Sequence, residues 1–355
     1  MNTELPESII EIIISKVTNV NCSVLRLVCK EWNDIVISKF FPNTFLVCTR
    51  QLRVPRPLGA RMEYDFSMRC IEFDQKYRQG MKTVASFRFG SSDCPVAVIA
   101  NSCQGLLCMV NGSRCFNTYI SILNPMTSEC MNLPGYEQEC YWYGFGFSPN
   151  LKQYKVARIS ESNVEIFILG KSSEWRQVDY LPFHVEKDGV YFDGGLYWIG
   201  TSGKKKRLCR LDIEHEKFDI IDVPKLVDSV TIGVFNGSLY ASIMEIEQPF
   251  KIEVWMMQSY GEENSGWTLG FVIDRSKTFE NSMTFEIPWK DVVQLIKSYD
   301  NEEILCLFDQ TYLFSYNIRT GRTKSWFEHT GECFWVYPIE SVNFDRFNNI
   351  FVNCS

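Results

Sequence analysis

The sequence predicts two domains of different class, a small all-α domain at the N-terminus and a large all-β domain after it. Over residues 1–42, apolar positions recur at helical spacing. From residue 43 onward, short runs alternate apolar with polar residues, and Gly, Asn and Pro turns separate them. A weak repeat of roughly 40–50 residues matches the length of a four-stranded propeller blade. We therefore expect a propeller-like all-β domain over residues 43–355, with about six or seven blades.

Two amphipathic helices are predicted near the N-terminus, over residues 5–17 and 23–37. At about 100° per residue, the apolar side chains of each segment fall on one arc, and most charged ones lie off it. The two arcs hold Ile9, Ile10, Ile13, Ile14 and Val17 in the first helix, and Val24, Leu25, Val28, Cys29, Trp32, Ile35 and Val36 in the second. A module this short is close to the lower size limit for burying a core of its own. We therefore expect its apolar surface to cover either a partner or the all-β domain.

The strands predicted downstream are rich in β-branched and aromatic residues, as in "GLLCMVNG", "YGFGFSP" and "IGVFNGSLYASI". Three fragments share a common form, with an apolar strand and a closing Leu-Pro or Val-Pro that ends at Pro134, Pro182 and Pro224. Their spacing is the basis for the blade repeat. The segment 286–298, "EIPWKDVVQLIKS", fits either a short helical insertion or a loop with strands.

Composition argues against several classes of function. The formal charge of −7 has the wrong sign for non-specific binding to nucleic acid, whose phosphates are negatively charged. No apolar run reaches the length of a membrane span, and the acidic start "MNTELPE" lacks the pattern of a secretory signal. We therefore expect no membrane partner, and a cytoplasmic or nuclear location. In that reducing environment the 14 cysteines are expected to be free, buried thiols rather than disulfides. A zinc site is not expected, because no pair of cysteines has the C-x-x-C spacing of a metal knuckle.

Catalytic patterns are weak throughout the chain. His184, His215 and His329 are isolated in sequence, and no G-x-S-x-G motif is present. The "GKSS" at 170–173 imitates a phosphate-binding loop, but Glu165 occupies the position that such a loop gives to glycine. The sequence therefore predicts no catalytic residue, no metal and no cofactor.

Two kinds of surface signal are open to more than one interpretation. The aromatic runs "CYWYGF" and "CFWVYP" contain Tyr141, Trp142, Tyr143 and Trp335, which either fill the core or contact a substrate at the rim. The basic run "GKKKR" at 203–207 is a solvated hairpin loop, an importin signal or a contact for an acidic target.

Several motifs carry a family resemblance. The N-terminal "LPESIIEIIISKV…SVLRLVCKEWNDIV" resembles an F-box. The motifs "NSCQGLLC", "ILNPMTSECMNLP", "YGFGFSPNLKQYKVARI", "GVYFDGGLYWIG" and "LCRLDIEHEKFDIIDVP" resemble the F-box-associated domain typical of plant F-box proteins. With the other matching pieces they cover roughly residues 95–330.

The resemblance implies an F-box of about three helices over residues 1–42, followed by an F-box-associated β-propeller. It further implies a non-catalytic substrate receptor of an SCF-type cullin–RING ubiquitin ligase. The F-box would bind a Skp-type adaptor, and the propeller would hold a protein substrate. The adaptor contacts carried over by the motif are Leu5, Pro6, Ile9, Ile13, Val28, Cys29 and Trp32.

Two alternatives stay open from the sequence. One is an enzymatic or ligand-binding propeller on which the N-terminal helices form a structural cap; it requires convergent carboxylates or histidines in a polar central channel. The other is an F-box protein that sequesters the adaptor without ligase activity.

Overall fold

The computed structural model describes most of the all-β domain and four helical residues near the N-terminus, Ile9, Ile12, Ile13 and Trp32. The described ranges of the all-β domain are 44–53, 63–72, 82–89, 97–113, 116–124, 130–134, 141–161, 163–181, 184–203, 205–225, 229–245, 251–257, 266–274, 293–299, 302–308, 312–327 and 333–338. The four helical residues lie in the two segments predicted to be helical. The other positions of those segments are outside the described residues.

The described strands form antiparallel sheets, which we number I to VI. Sheet I contains β1 (Thr44–Arg53), β2 (Glu63–Glu72), β3 (Lys82–Phe89) and β25 (Cys333–Pro338). Sheet II contains β4 (Ala97–Cys103), β5 (Leu106–Ser113), β6 (Phe116–Leu123) and β7 (Cys130–Asn132). Sheet III contains β8 (Trp142–Ser148), β9 (Gln153–Ser160), β10 (Asn163–Ile168) and β11 (Arg176–Tyr180).

The remaining sheets follow in chain order. Sheet IV contains β12 (His184–Val185), β13 (Val190–Phe192), β14 (Gly195–Ser202), β15 (Lys205–Asp212) and β16 (Lys217–Asp222). Sheet V contains β17 (Ser229–Phe235), β18 (Ser238–Met244), β19 (Lys251–Met257) and β20 (Trp267–Asp274). Sheet VI contains β21 (Val293–Ser298), β22 (Glu303–Phe308), β23 (Tyr312–Asn317) and β24 (Thr323–Phe327).

The sheets are arranged as in a β-propeller. One strand of each sheet contacts one strand of the next, so that β4 meets β8, β8 meets β13, β13 meets β17, and β17 meets β21. The last contact of this series joins β21 to β25, the strand that pairs with β1 in sheet I. Radial repetition of four-stranded sheets in this way leaves only short outer edges exposed. The predicted all-β propeller class is therefore confirmed.

The blade number differs from the six or seven expected from the repeat. Among the described residues, five sheets are built from consecutive strands, and sheet I combines β1–β3 with β25 from the far end of the chain. The local repeat could not indicate this arrangement, because β25 pairs with a strand that lies almost the whole domain away in sequence.

The turns follow the signals read from the sequence. At the β17–β18 hairpin, Asn236 and Gly237 have φ values of 48° and 71°, the left-handed pair that a tight two-residue hairpin turn requires. In the segment 286–298, the structure places residues 293–298 in strand β21. The strand interpretation is therefore correct for that part, and residues 286–292 lie outside the described residues.

The core lies between neighbouring sheets. One cluster joins sheets II and III, a second joins III and IV, a third joins IV and V, and a fourth joins V and VI. Because central strands are covered on both faces, β9 is buried along seven of its eight residues. Glycines permit the closest approach: a Cβ built on Gly144 would lie 2.5 Å from Cζ2 of Trp198 on the next sheet.

Free thiols contribute to this core. Cys103, Cys108, Cys209 and Cys306 are free and buried, as expected for small apolar side chains. Burial, and to a lesser degree the charge of Asp188, raises the pKa of the Cys108 thiol far above its ordinary value, so this group stays protonated and unreactive. Cys130 departs from the expectation, because it is free and exposed on the short outer strand β7.

Candidate functional surfaces

Three isoleucines of the N-terminal helical segment face solvent. Ile9, Ile12 and Ile13 are 42%, 59% and 37% exposed. Residues three or four apart lie on adjacent turns of a helix, so Ile9, Ile12 and Ile13 are neighbours on its surface. Grouped apolar side chains of this size are unusual on a solvent-facing surface and mark an interaction site.

The predicted adaptor contacts are only partly described. Ile9 and Ile13 are exposed, and Trp32 is half-buried in the second helical segment. The other four predicted contacts lie outside the described residues; they are Leu5, Pro6, Val28 and Cys29. Ile12 was not among the predicted contacts, although it is the most exposed of the three isoleucines. The signal in the sequence that could have identified it is its apolar side chain outside the main arc of the helix.

Two of the predicted substrate contacts are core residues by position. Tyr141 and Tyr143 are buried between sheets II and III, with ring centroids 6.1 Å apart. The Arg158 guanidinium lies 4.8 Å from the Tyr141 ring centroid and 4.2 Å from that of Trp175. Arg158 also donates from Nε to Glu165 Oε2 at 2.7 Å. Tyr141 and Tyr143 therefore lack the exposed aromatic face that a substrate contact needs.

The other two predicted contacts occupy different places. Trp142 is half-buried at the start of β8 and packs against the cluster between sheets III and IV. Trp335 lies in β25, where its backbone is opposite Cys48 of β1. The side chain of Trp335 is outside the described residues. The four aromatic residues therefore do not form one exposed patch, and substrate contact by Trp142 and Trp335 stays a prediction.

The basic run is more ordered than a solvated loop. Gly203 makes the turn with a φ of 63°, and strand β15 begins at Lys205. Lys206 Nζ donates to both carboxylate oxygens of Glu186, and Arg207 forms an ion pair with Asp222. The expectation of a loop is therefore wrong for Lys205–Arg207, because ladder pairing and two ion pairs hold these residues in the sheet.

The ion pair of Glu186 is tight. Burial alone would raise the pKa of this carboxyl, but hydrogen bonds from Lys206 and Thr201, and the charges of Lys206 and Lys187, hold it below its ordinary value. Glu186 is therefore ionised at neutral pH and neutralises Lys206 locally. Lys187 lies three residues before β13, in the chain segment that links β12 to β13.

Other charged groups connect sheets. Lys155 of β9 donates to Glu216 Oε1 and to the Ile213 carbonyl, both at 2.7 Å, and Arg176 donates to Glu216 Oε2 at 2.7 Å. These bonds join sheet III to the β15–β16 turn of sheet IV. His184 and His215 are exposed, and over the described ranges no three His, Cys, Asp or Glu side chains come together in a way that could hold a metal ion.

Comparison with known families identifies both parts of the chain. The model of the F-box domain matches residues 3–43, and the model of the F-box associated beta propeller domain matches residues 62–331. The second match spans most of the chain, and the structure there is a propeller. The chain belongs to the F-box proteins with an F-box associated β-propeller domain.

Curated relatives of this F-box protein come from a plant. The F-box protein At3g07870 of Arabidopsis thaliana is 22% identical over 93% of this chain and 92% of the relative. The putative F-box protein At3g52320 of the same species is 24% identical over 62% of this chain and 60% of the relative. The putative F-box protein At1g46984, also from this species, is 25% identical over 66% of each. The exposed isoleucines lie within the stretch matched by the F-box model.

The described part of this F-box protein contains no helix that is both long and apolar enough to cross a membrane.

Proposed function

We propose that this F-box protein is the substrate-recognition subunit of an SCF-type cullin–RING ubiquitin ligase. The observation that carries the proposal is the exposure of Ile9, Ile12 and Ile13 within the F-box, ahead of a β-propeller. An F-box with an unburied apolar surface has the character of a docking module. The propeller supplies a separate and larger surface for a second protein.

The proposed adaptor surface draws on both helical segments. Ile9, Ile12 and Ile13 supply apolar area that a Skp-type adaptor buries, and Trp32 is the anchor of the interface because Trp is enriched in interface hot spots. A stable interface of ordinary size buries about 800 Å² on each partner. Burial at about 25 cal/mol per Å² of apolar surface gives each isoleucine a substantial share of the binding free energy. Leu5, Pro6, Val28 and Cys29 complete the proposed contact set.

In this role the chain performs no bond chemistry and needs no cofactor. Its contribution is proximity. When the substrate is held beside a conjugating enzyme that carries ubiquitin, ubiquitin transfer no longer requires a bimolecular encounter. The buried thiols and the ion-paired carboxylates of the described sheets support a structural scaffold. We place the protein in the cytoplasm, the nucleus or both, where cullin–RING ligases meet soluble substrates.

Copurification with a Skp-type adaptor tests the proposal. The native chain is expected to elute as a stoichiometric complex, and an Ile9→Asp/Ile13→Asp variant is expected to elute alone. The matched control is Ile220→Asp/Leu269→Asp, which places two aspartates at exposed apolar positions of the propeller. This control should retain the adaptor. A native chain that is folded but never retains the adaptor would contradict the proposal.

A further inference from the structure

Each sheet of a propeller ends in an outer strand, one edge of which faces away from the ring. Proteins commonly protect such an edge, because its backbone N–H and C=O groups can pair with another chain; short strands and charged residues, above all lysine, give this protection. The described outer strands are β3, β7, β11, β16, β20 and β24. β7 has three residues, and β3, β11, β16 and β24 each contain a Lys or Arg. Every described outer strand except β20 therefore has one of these two features.

The outer strand of sheet V, β20, lacks both features. It has eight residues, WTLGFVID, of which the only charged one is Asp274 at the end. Thr268, Leu269 and Gly270 are exposed, Leu269 to 44%. None of the described strands pairs with β20 on the side away from β19. This part of β20 is thus a long, uncharged and accessible strand edge.

The two halves of β20 differ in what lies beside them. In the second half, the Tyr316 hydroxyl of sheet VI donates to the Val272 carbonyl at 2.9 Å, so the next sheet already covers the edge there. The register of β20 against β19 shifts at Gly270, between the two halves. The accessible edge is therefore residues 267–271, which we call the open edge.

Side chains beside the open edge form an apolar strip. Leu269 is opposite Trp255 of β19, and Trp267 is opposite Met257. Residues directly opposite each other share one face of a sheet. Trp255, Met257 and Trp267 pack into the cluster between sheets IV and V, so Leu269 extends the apolar surface of this face to the outer edge. Alternate side chains of a strand added at this edge would lie on the same face.

We propose that the open edge of β20 binds an extended segment of a protein partner by β-strand addition. The edge itself defines the occupant, because an extended backbone is the structure that matches the alternating N–H and C=O groups of a strand. The apolar strip defines its side chains: alternate residues of the segment are apolar, since a charged group there would lose hydration without gaining a partner. The inference rests on the proposed function, in which this partner is the ligase substrate.

Fluorescence anisotropy with a defined set of peptides tests the inference. Each fluorescein-labelled peptide has the sequence Thr-X-Thr-X-Thr-X-Thr, with Val, Leu, Phe, Glu or Lys at X. The full chain should bind the Val, Leu and Phe peptides, and it should bind the Glu and Lys peptides about tenfold more weakly or worse. Absence of saturable binding to all three apolar peptides would overturn the inference.

Methylation of the peptide backbone distinguishes strand addition from adhesion to an apolar patch. The tightest-binding peptide is prepared in two further forms, with N-methyl groups on the Thr residues or on the X residues. Successive N–H groups of a strand point to opposite sides, so one form loses the donors that face β20 and the other keeps them. The first form should bind about tenfold more weakly than the second. Equal affinity of the two forms would overturn the inference, because side chains alone would then make the contact.

Substitution of Leu269 locates the binding site on the chain. Leu269→Lys places on β20 the kind of residue that protects other edges, and it should weaken binding of the apolar peptides about tenfold. The matched control is Ile220→Lys, which makes a similar change at an exposed apolar residue of the outer strand β16. This control should leave peptide affinity unchanged. Equal weakening by the two variants would overturn the assignment to β20.

A second copy of the chain is the competing occupant of a free strand edge. Sedimentation velocity of the native chain should show a monomer at the concentrations used for peptide binding. A dimer that Leu269→Lys dissociates and Ile220→Lys does not would overturn the inference, because the edge would then serve self-association.

Adaptor copurification separates this inference from the proposed function. Leu269→Lys and Ile220→Lys are both expected to retain the Skp-type adaptor. A native chain that binds the adaptor but none of the peptides would overturn the inference alone. A native chain that binds the apolar peptides but not the adaptor would confirm the binding edge and contradict the receptor role.

Discussion

Asn101 and Phe145 exchange two hydrogen bonds across the boundary between sheets II and III. The Asn101 side chain donates from Nδ2 to the Phe145 carbonyl at 2.8 Å, and its Oδ1 accepts from the Phe145 amide at 3.0 Å. The strand at a blade boundary has no neighbouring strand along one edge, so backbone groups on that edge lack the hydrogen bonds of a sheet. At Phe145 the side-chain amide of Asn101 makes these hydrogen bonds instead. Asp188 does the same at the next boundary, where its Oδ1 accepts from the Tyr143 amide at 2.9 Å.

Removing this amide should destabilise the propeller. Asn101→Ala leaves the amide and the carbonyl of Phe145 unpaired in a buried position, which costs about 1–3 kcal/mol for each group left unsatisfied. The free energy of unfolding in urea measures the loss. The control is Asn150→Ala, because Asn150 is exposed and its side chain donates a solvent-exposed hydrogen bond to Glu214. A loss no larger than that of the control would contradict the role given to Asn101.

The close contact at Gly144 should not accept a methyl group. Gly144→Ala places a carbon 2.5 Å from the buried Trp198 ring, and overpacking of this kind costs about 1–3 kcal/mol. Thermal unfolding should show a lower midpoint than the native chain. Gly270→Ala is the matched control, because its nearest side-chain atom is Cγ of the flexible Met256 at 3.2 Å. Equal midpoints for the two variants would refute the packing argument.

The Tyr240 hydroxyl joins sheet V to sheet VI. It donates to the Val293 carbonyl at 3.2 Å and accepts from the Leu295 amide at 3.1 Å. Tyr240→Phe keeps the ring but leaves both backbone groups without this partner, so we expect a loss of about 1–3 kcal/mol in unfolding free energy. Tyr180→Phe, at an exposed tyrosine of sheet III, provides the control. An unchanged unfolding curve for Tyr240→Phe would show that this bond does not stabilise the boundary.

Acid should weaken the contact between sheets III and IV. Burial alone would raise the pKa of the Glu216 carboxyl, but hydrogen bonds from Lys155 and Arg176 and their charges lower it. A carboxyl whose pKa is lower in the folded chain than in the unfolded chain stabilises the fold. The stabilisation is complete at pH values above the unfolded-state pKa of about 4.3. That stabilisation is lost as the pH falls through the folded value.

A Glu216→Gln variant isolates this contribution. The native chain should lose more unfolding free energy between neutral pH and about pH 3 than the variant does, because the variant has no carboxyl to protonate. Urea titrations at several pH values give, for each protein, the slope of the unfolding free energy against pH. Parallel slopes for the two proteins would show that Glu216 does not contribute to the acid sensitivity.

The fold class was predictable because its signals are local. Asn236-Gly237 marks a hairpin wherever it occurs between two apolar runs, and the alternation in β17 and β18 is visible without any tertiary information. The composition of sheet I was not predictable, since its pairing of Cys48 with Trp335 joins the two ends of the domain. No local repeat encodes such a partner.

The candidate site was predictable only in part, for a related reason. The apolar runs of the F-box identified Ile9 and Ile13, but exposure was needed to add Ile12. The aromatic run at Tyr141 has the same composition as a surface patch, and only the packing of sheets II and III shows that it is core. The basic run was evident, whereas its ion pairs with Glu186 and Asp222 come from distant segments.

The central claim is that the exposed F-box isoleucines bind a Skp-type adaptor, and isothermal titration of the folded full chain with that adaptor tests it most directly. We expect one-to-one binding that Ile9→Asp/Ile13→Asp weakens by more than about tenfold, because each substitution places a charge in a desolvated interface. Absence of binding by the native chain, or equal affinity of the native chain and the variant, would contradict the claim.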